Sequence, residues 1–363
     1  MRTADLVAAG VLLLLPAAAA AQTWATVRPG VEIVLPRDHG AHLEHRTEWW
    51  YLTGTARADD GRELGWQLTF FRQGIDPSPA TPGQSALRAR HVLAAHLALA
   101  DVTARTFRHA ERLRRLGGGL ASARADDLDV VLDDWRLRRD ADGRLRLHAA
   151  DGAAGLSLDL ELEPRKPLVR HGADGTSRKG GEEGNASTYL SWTRLATRGT
   201  IAVDGRRLEV RGEAWFDHEW GTSQLGAGVV GWDWFALRLA DGRDLMLYEL
   251  RRADGRPAEF SAGTVVAPDG TSRALAVGDF TVTPLASWRS PISGAVYPAA
   301  WRVTVPSAAL DLEVRPRLAD AELRAERSTA TTYWEGPVAA TGTVAGEGYV
   351  ELTGYAGTMA GRF

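Results

Sequence analysis

The sequence predicts an all-β protein of antiparallel strands arranged as two β-rich halves. Three observations carry this. Apolar residues recur with a period of two: Leu64, Trp66, Leu68 and Phe70 alternate with Glu63, Gly65, Gln67 and Thr69, and the same rhythm returns at Leu156–Leu162, Leu208–Val210 and Leu310–Val314. Asp-Gly pairs at 60–61, 142–143, 204–205, 241–242, 254–255 and 269–270 punctuate these runs. Between alternating apolar stretches, that dipeptide is the strongest short-range hairpin signal. No long amphipathic stretch competes, and the only helix candidates are short, as around residues 320–327. Many strands joined by tight turns point to a sandwich or an up-and-down barrel.

The N-terminus reads as an export signal. Arg2 gives a positive start, Leu6–Leu15 is a short apolar run and Ala17–Ala21 offers a small-residue cleavage site. Asp5 is a blemish in this pattern, and an uncleaved anchor is the bland alternative. The run falls well short of the roughly 20 residues a spanning helix needs. The expectation is a signal peptide over 1–21, cleavage near Ala21-Gln22 and a periplasmic or secreted product with no membrane span. The 363 residues carry a net charge of −3 and no cysteine. There is thus no basic footprint for nucleic acid, and no disulfide, thiolate nucleophile or cysteine-held metal.

Two stretches break the strand rhythm, the three-proline segment 72–90 and the Gly-, Lys- and Arg-rich segment 164–184. Each is expected to be a long loop, either capping a ligand mouth or disordered. A glycine cluster around 221–228 marks the best boundary, giving one half over 22–222 and another over 223–363.

The chemistry concentrates in three aromatic stretches, Thr47–Tyr51, Gly212–Gly221 and Gly231–Phe235, each placing carboxylates beside indoles. A carboxyl among rings loses hydration and holds a proton near neutral pH. If 208–220 is one strand, Trp215, Asp217 and Glu219 share one face while Phe216, His218 and Trp220 share the other. Asp217, His218, Glu219, Asp233 and Glu48 are therefore the candidate acid–base groups; the alternative is a structural network of buried carboxylates bonded to backbone and indole N–H groups. Alternation points Asp233 away from Trp232 and Trp234. Trp49, Trp50, Tyr51, Trp220, Trp232, Trp234, Tyr248, Tyr333 and Trp334 are candidate ligand-binding rings. His96 joins them because it shares a face with Ala94 and Ala98, small residues that leave room for a ligand. His39, His42 and His45, near Glu44 and Glu48, invite a zinc reading. Gly40 and the strand that follows argue against a common helical face, so no metal is expected. No nucleophile elbow, phosphate loop or His-Glu-x-x-His is present.

Thr47–Gly54, Gly65–Arg72, Ala214–Trp220 and Gly231–Phe235, extended by Tyr333–Gly336 and Gly348–Tyr355, resemble the AttH-type lipocalin-like proteins. That family is often labelled "predicted secreted hydrolase" and is related to carotenoid 1,2-hydratase. The resemblance covers essentially the whole chain after the export signal. It implies two lipocalin-like β-barrels side by side, with a pocket at or near their junction. It also implies an apolar isoprenoid- or polyene-type ligand, and for the carotenoid branch cofactor-free addition of water across a carbon–carbon double bond. On that implication Asp233 or Asp217 donates the proton, His218 positions the donor or the water, and Trp220, Trp232 and Trp234 shield a carbocation. The rivals are a lipid or isoprenoid carrier and a secreted hydrolase, the latter without a visible nucleophile.

Overall fold

A computed structural model describes residues 23–78, 88–182, 184–222 and 225–360. The proposed signal peptide and residues 79–87 of the proline-rich segment lie outside these residues. The first unit is built from β1 (Thr47–Ala58), β2 (Glu63–Gly74), β3 (His91–Asp101), β4 (Thr106–Arg115), β5 (Ala121–Ala123), β6 (Asp129–Leu132), β7 (Trp135–Arg139), β8 (Leu145–Asp151), β9 (Leu156–Pro164), β10 (Val169–Arg170), β11 (Thr176–Arg178), β12 (Ala186–Val203) and β13 (Arg206–Gly221). They form one antiparallel sheet in the order β4-β3-β2-β1-β13-β12-β9-β8-β7-β6-β5, with β10 and β11 paired to β12. The sheet curls until β3 and β4 meet β6.

The second unit holds β14 (Val229–Leu239), β15 (Asp244–Arg252), β16 (Ala262–Val266), β17 (Ser272–Ala276), β18 (Thr281–Arg289), β19 (Val296–Val305), β20 (Leu310–Pro316), β21 (Glu322–Ala325), β22 (Thr331–Gly342) and β23 (Gly346–Leu352). Its order is β17-β16-β15-β14-β23-β22-β20-β19-β18, with β21 on β22. The protein is thus all-β, two curled antiparallel sheets forming barrel-like units. Among the described residues the only helical turns are single 3-10 turns at Arg37–His39 and Pro306–Ala308. No helix among them is long and apolar enough to cross a membrane.

The turn chemistry explains much of this. Between β12 and β13 the two-residue loop holds Asp204 at φ 51° and Gly205 at φ 75°. Two positive φ values in sequence are what a type I′ hairpin requires, and they match the right-handed twist of the flanking strands. Two expectations are corrected. The helix candidate around 320–327 is the strand Glu322–Ala325, because these residues pair with β22 in register Glu322↔Trp334 to Ala325↔Thr331. The segment 164–184 contains β10 and β11, which lie on β12 in register Val169↔Ser191 and Thr176↔Thr188.

Alternation sorts each strand between two cores. Trp50, Leu52, Trp66, Leu68 and Phe70 fill the first unit with Leu158, Leu160 and Phe216. Phe235, Trp301, Val314 and Trp334 fill the second. A third cluster, with Tyr51, Tyr189, Trp215, Trp234, Tyr248 and Tyr349, belongs to neither interior; it is where the outer faces of the sheets meet. Each such side chain taken from water contributes about 1.5–3 kcal/mol. Polar ties cross the same seam. Asp244 in the second unit accepts from Thr193 Oγ1 at 2.8 Å, Arg194 Nη2 at 2.7 Å and Lys166 Nζ at 2.6 Å. A β-bulge between Trp192 and Leu195 aims Thr193 and Arg194 at it.

Candidate active site at the junction of the two units

A cavity opens at this seam, with about 780 Å³ of atom-free space including its mouth. The first unit lines it with Trp49, Tyr51, Phe71, Lys179, Tyr189, Asp217 and Glu219; the second contributes Trp232, Trp234, Tyr248, Leu250, Tyr333, Glu335 and Glu351. Sheet register explains the grouping. Asp217 on β13 faces Tyr51 on β1 and Ser191 on β12, while Glu219 faces Trp49 and Tyr189. In the second unit Glu335 on β22 faces Glu351 on β23, which faces Trp234 on β14. Directly opposed residues on one face have Cβ atoms about 4.5–5.5 Å apart, so the pairs share a surface.

Asp217 is saturated with donors. Trp215 Nε1 gives to Oδ1 at 2.6 Å, Tyr189 gives to Oδ2 at 2.7 Å, and Ser191 gives to Oδ1. Burial nonetheless pushes its pKa up to about 7, against those hydrogen bonds and helped by the charge of Glu219. Behind it His171 Nε2 lies 2.7 Å from Ser191 Oγ, and Nδ1 lies 2.8 Å from Thr264 Oγ1. Burial drops the His171 pKa to about 3. With Ser191 donating to Asp217, the neutral imidazole carries its proton on Nε2 and accepts from Thr264.

Glu335 differs. Tyr51 donates to its Oε1 across the seam, while Oε2 is buried and unpartnered among the described residues. Burial and the facing Glu351 raise its pKa well above the usual carboxylate range, against the Tyr51 hydrogen bond. Glu351 is itself pushed up to about 7 by burial, against the hydrogen bond from Trp232 Nε1 at 3.3 Å. Two opposed carboxyls in an apolar setting cannot both ionise cheaply, so the pair holds a proton at neutral pH.

The cavity opens into a wider cleft, sharing with it Trp49, Phe71, Trp232, Tyr333 and Glu351. His96 lies there, its Nδ1 2.8 Å from the Tyr333 hydroxyl and its Nε2 3.0 Å from Ser328 Oγ.

The structure therefore gathers Asp217, Glu219, Trp49, Tyr51, Trp232, Trp234, Tyr248 and Tyr333 around one cavity, with His96 beside it. Other candidates lie elsewhere. Asp233 points to the opposite face of β14, as alternation requires, and binds the Tyr355 hydroxyl at 2.9 Å and Arg251 Nε at 3.5 Å. Trp334 is in the second core, its Nε1 bonded to the Ala319 carbonyl at 2.7 Å. His218, Trp50 and Trp220 face away from the cavity because they are out of phase with Asp217 and Tyr51: Trp50 stacks on His218 at 5.1 Å, and Trp220 on His42 at 3.7 Å.

Glu48 touches only the outer cleft, with its oxygens taken. Arg72 Nε is at 2.8 Å, and His42 Nδ1 and His218 Nε2 are both at 2.9 Å. Among the described residues, His42, Glu48 and His218 are the one group whose ligand atoms lie within 4.8 Å of one another. Glu48 is already neutralised by Arg72, and His42 is raised to about 9 by Asp38 and Glu48 despite burial, so protein cations fill this cluster. His39 and His45 are not part of it.

Sequence reasoning missed Glu335, Glu351, Lys179, Tyr189, Ser191 and His171. Alternation in Tyr333-Trp334-Glu335 places Tyr333 and Glu335 on one face, and that was the signal that could have found Glu335.

A solved protein of Nitrosomonas europaea carrying the AttH designation is 36% identical, with a TM-score of 0.83 over 91% of this chain and 99% of its own. Kievitone hydratase of Nectria haematococca shares the fold at 16% identity, with a TM-score of 0.69 over 93% of this chain and 97% of its own. No curated protein matches the chain. The model of the AttH-like family matches residues 26–355, and the chain belongs to that family.

Proposed function

We propose that the junction cavity is the active site of a cofactor-free hydratase that protonates a carbon–carbon double bond of an apolar small molecule, in a chain exported by its N-terminal segment. The observation that carries this is Glu335: a buried carboxyl facing Glu351, which with burial raises its pKa, with one oxygen unpartnered among the described residues, in a cavity walled by indoles and phenols. The shared fold with a hydratase agrees with it.

In this reading Glu335 Oε2 gives its proton to one alkene carbon, and the π electron pair forms the new C–H bond. The cation left on the other carbon faces Trp49, Trp232 and Trp234, whose ring faces stabilise positive charge. Asp217, ionising near neutrality, adds negative charge nearby without a free proton of its own to give. Water then adds to the cation, and the resulting oxonium returns its proton to Glu335. The net change is one water added, with the acid restored. Asp217 is thus better suited to hold charge than to donate, and Asp233, on the far face, takes no part.

The test is incubation with apolar alkenes in ¹⁸O-water, read by mass spectrometry. The reading expects products heavier by one labelled water, with the rate falling about 10²-fold or more in Glu335→Gln. Tight binding with every ligand recovered unchanged would favour a carrier instead.

A further inference from the structure

Resting on the cavity being a ligand site, we infer that its ligand carries a hydroxyl group, read by the buried pair Lys179 and Glu219. An apolar pocket for a plain hydrocarbon gains nothing from a lysine, because burying an ammonium is costly unless it is paired. Here Lys179 is only 7% exposed and Glu219 only 4%, and both line the cavity. Their nitrogen and oxygen are 3.2 Å apart. Lys179 Nζ also sits 3.8 Å from the centre of the Tyr248 ring and 5.2 Å from that of Tyr189, so aromatic faces hold it in place.

The pair is not closed on itself. Ser187 and Lys179 both give to Glu219 Oε1, while Oε2 takes no hydrogen bond among the described residues. An ammonium has three donors, of which Glu219 and Tyr248 take two. The pair thus presents a donor and an acceptor side by side on an otherwise aromatic wall. A carbonyl or ether oxygen uses only the donor. A hydroxyl uses both, accepting from Lys179 and donating to Glu219 Oε2. The placement has a local cause. Lys179 follows β11, and pairing of that strand with β12 in register Arg178↔Ala186 delivers it beside Ser187. The composition of 164–184 alone gives no hint of this.

The probes are 2-naphthol and 2-methylnaphthalene, similar in shape and differing in the hydroxyl. Binding is followed by quenching of the cavity tryptophans and by calorimetry. The inference expects wild type to bind 2-naphthol about tenfold or more tighter, the size of a hydrogen bond to a charged group. Lys179→Met, and Lys179→Met with Glu219→Gln in case the lone carboxylate impairs folding, should erase that ratio and leave 2-methylnaphthalene within about twofold. Equal affinity of wild type for both probes overturns the inference while leaving the apolar cavity intact. Persistence of the preference in the double variant also overturns it. Failure of wild type to bind either probe counts against the cavity as a ligand site, and so against both readings.

Discussion

The Tyr51 hydroxyl donates to Glu335 across the seam between the two units, tying a strand of one sheet to a strand of the other. Tyr51 is 6% exposed and Glu335 1% exposed. The bond fixes Glu335 by one oxygen and leaves the other, buried, without a partner among the described residues. Tyr51→Phe should keep the fold and lower turnover less than Glu335→Gln, because it loosens the acid without removing its proton. Steady-state rates on any substrate found in the labelled-water screen check this order; a larger loss in Tyr51→Phe would reverse the assigned roles.

Asp217 gives a signed pH dependence. Its folded pKa is about 7 against an ordinary 3.8, so between those values the folded state binds more protons than the unfolded state. Stability from this group is full below about pH 4 and is lost as pH rises through 7. Asp217→Asn removes the titration. Relative to wild type, the variant should gain roughly 2–4 kcal/mol between pH 4 and pH 8, the free energy that separates the folded and unfolded proton affinities of this carboxyl. Urea unfolding at the two pH values measures it, and parallel curves would show that the carboxyl ionises freely.

His42 carries the opposite kind of charge inside the first unit. Its pKa is raised to about 9, so its stabilising contribution is complete below pH 6.5 and disappears as pH rises through 9. The advantage of wild type over His42→Asn should therefore shrink across that window. Nuclear magnetic resonance should show the imidazole titrating near pH 9, and near or below 6.5 in Glu48→Gln, where burial outweighs the remaining partner Asp38.

The seam also depends on a missing side chain. A Cβ at Gly65 would lie 2.6 Å from Pro337 Cγ and 2.6 Å from the Tyr349 hydroxyl, so the outer face of β2 must be bare there for the second unit to dock. Gly65→Ala should cost about 1–3 kcal/mol as an overpacked contact. Gly152→Ala, where nothing lies within 4 Å, should stay within about 0.5 kcal/mol. Equal effects in thermal melts would mean that the units are not pressed together at β2.

Much of this was legible in the sequence because it is local. Period-two alternation and Asp-Gly turns specify strands and hairpins within a few residues of one another, and Trp215, Asp217 and Glu219 fall on one face by alternation alone. The same rule already turned Asp233 away from its flanking indoles, although motif likeness favoured it as an acid. What was not legible is long-range. The raised pKa of Glu335 comes from burial at the seam and from the opposing Glu351, and the side chain is held by a tyrosine 284 residues away in the chain. Lys179 and His171 sit in a stretch without period, and their meaning comes from short strands laid on β12. His218 and Glu48 looked chemical because they are charged among rings, but alternation with Asp217 and Tyr51 sends them toward the first unit's interior.

The central claim is that Glu335 stands protonated in the resting protein. Infrared difference spectroscopy of wild type against Glu335→Gln at pH 7 tests it without a substrate. The account predicts a carbonyl stretch of a protonated carboxylic acid in wild type that the variant lacks. A difference spectrum showing only loss of carboxylate bands would contradict it.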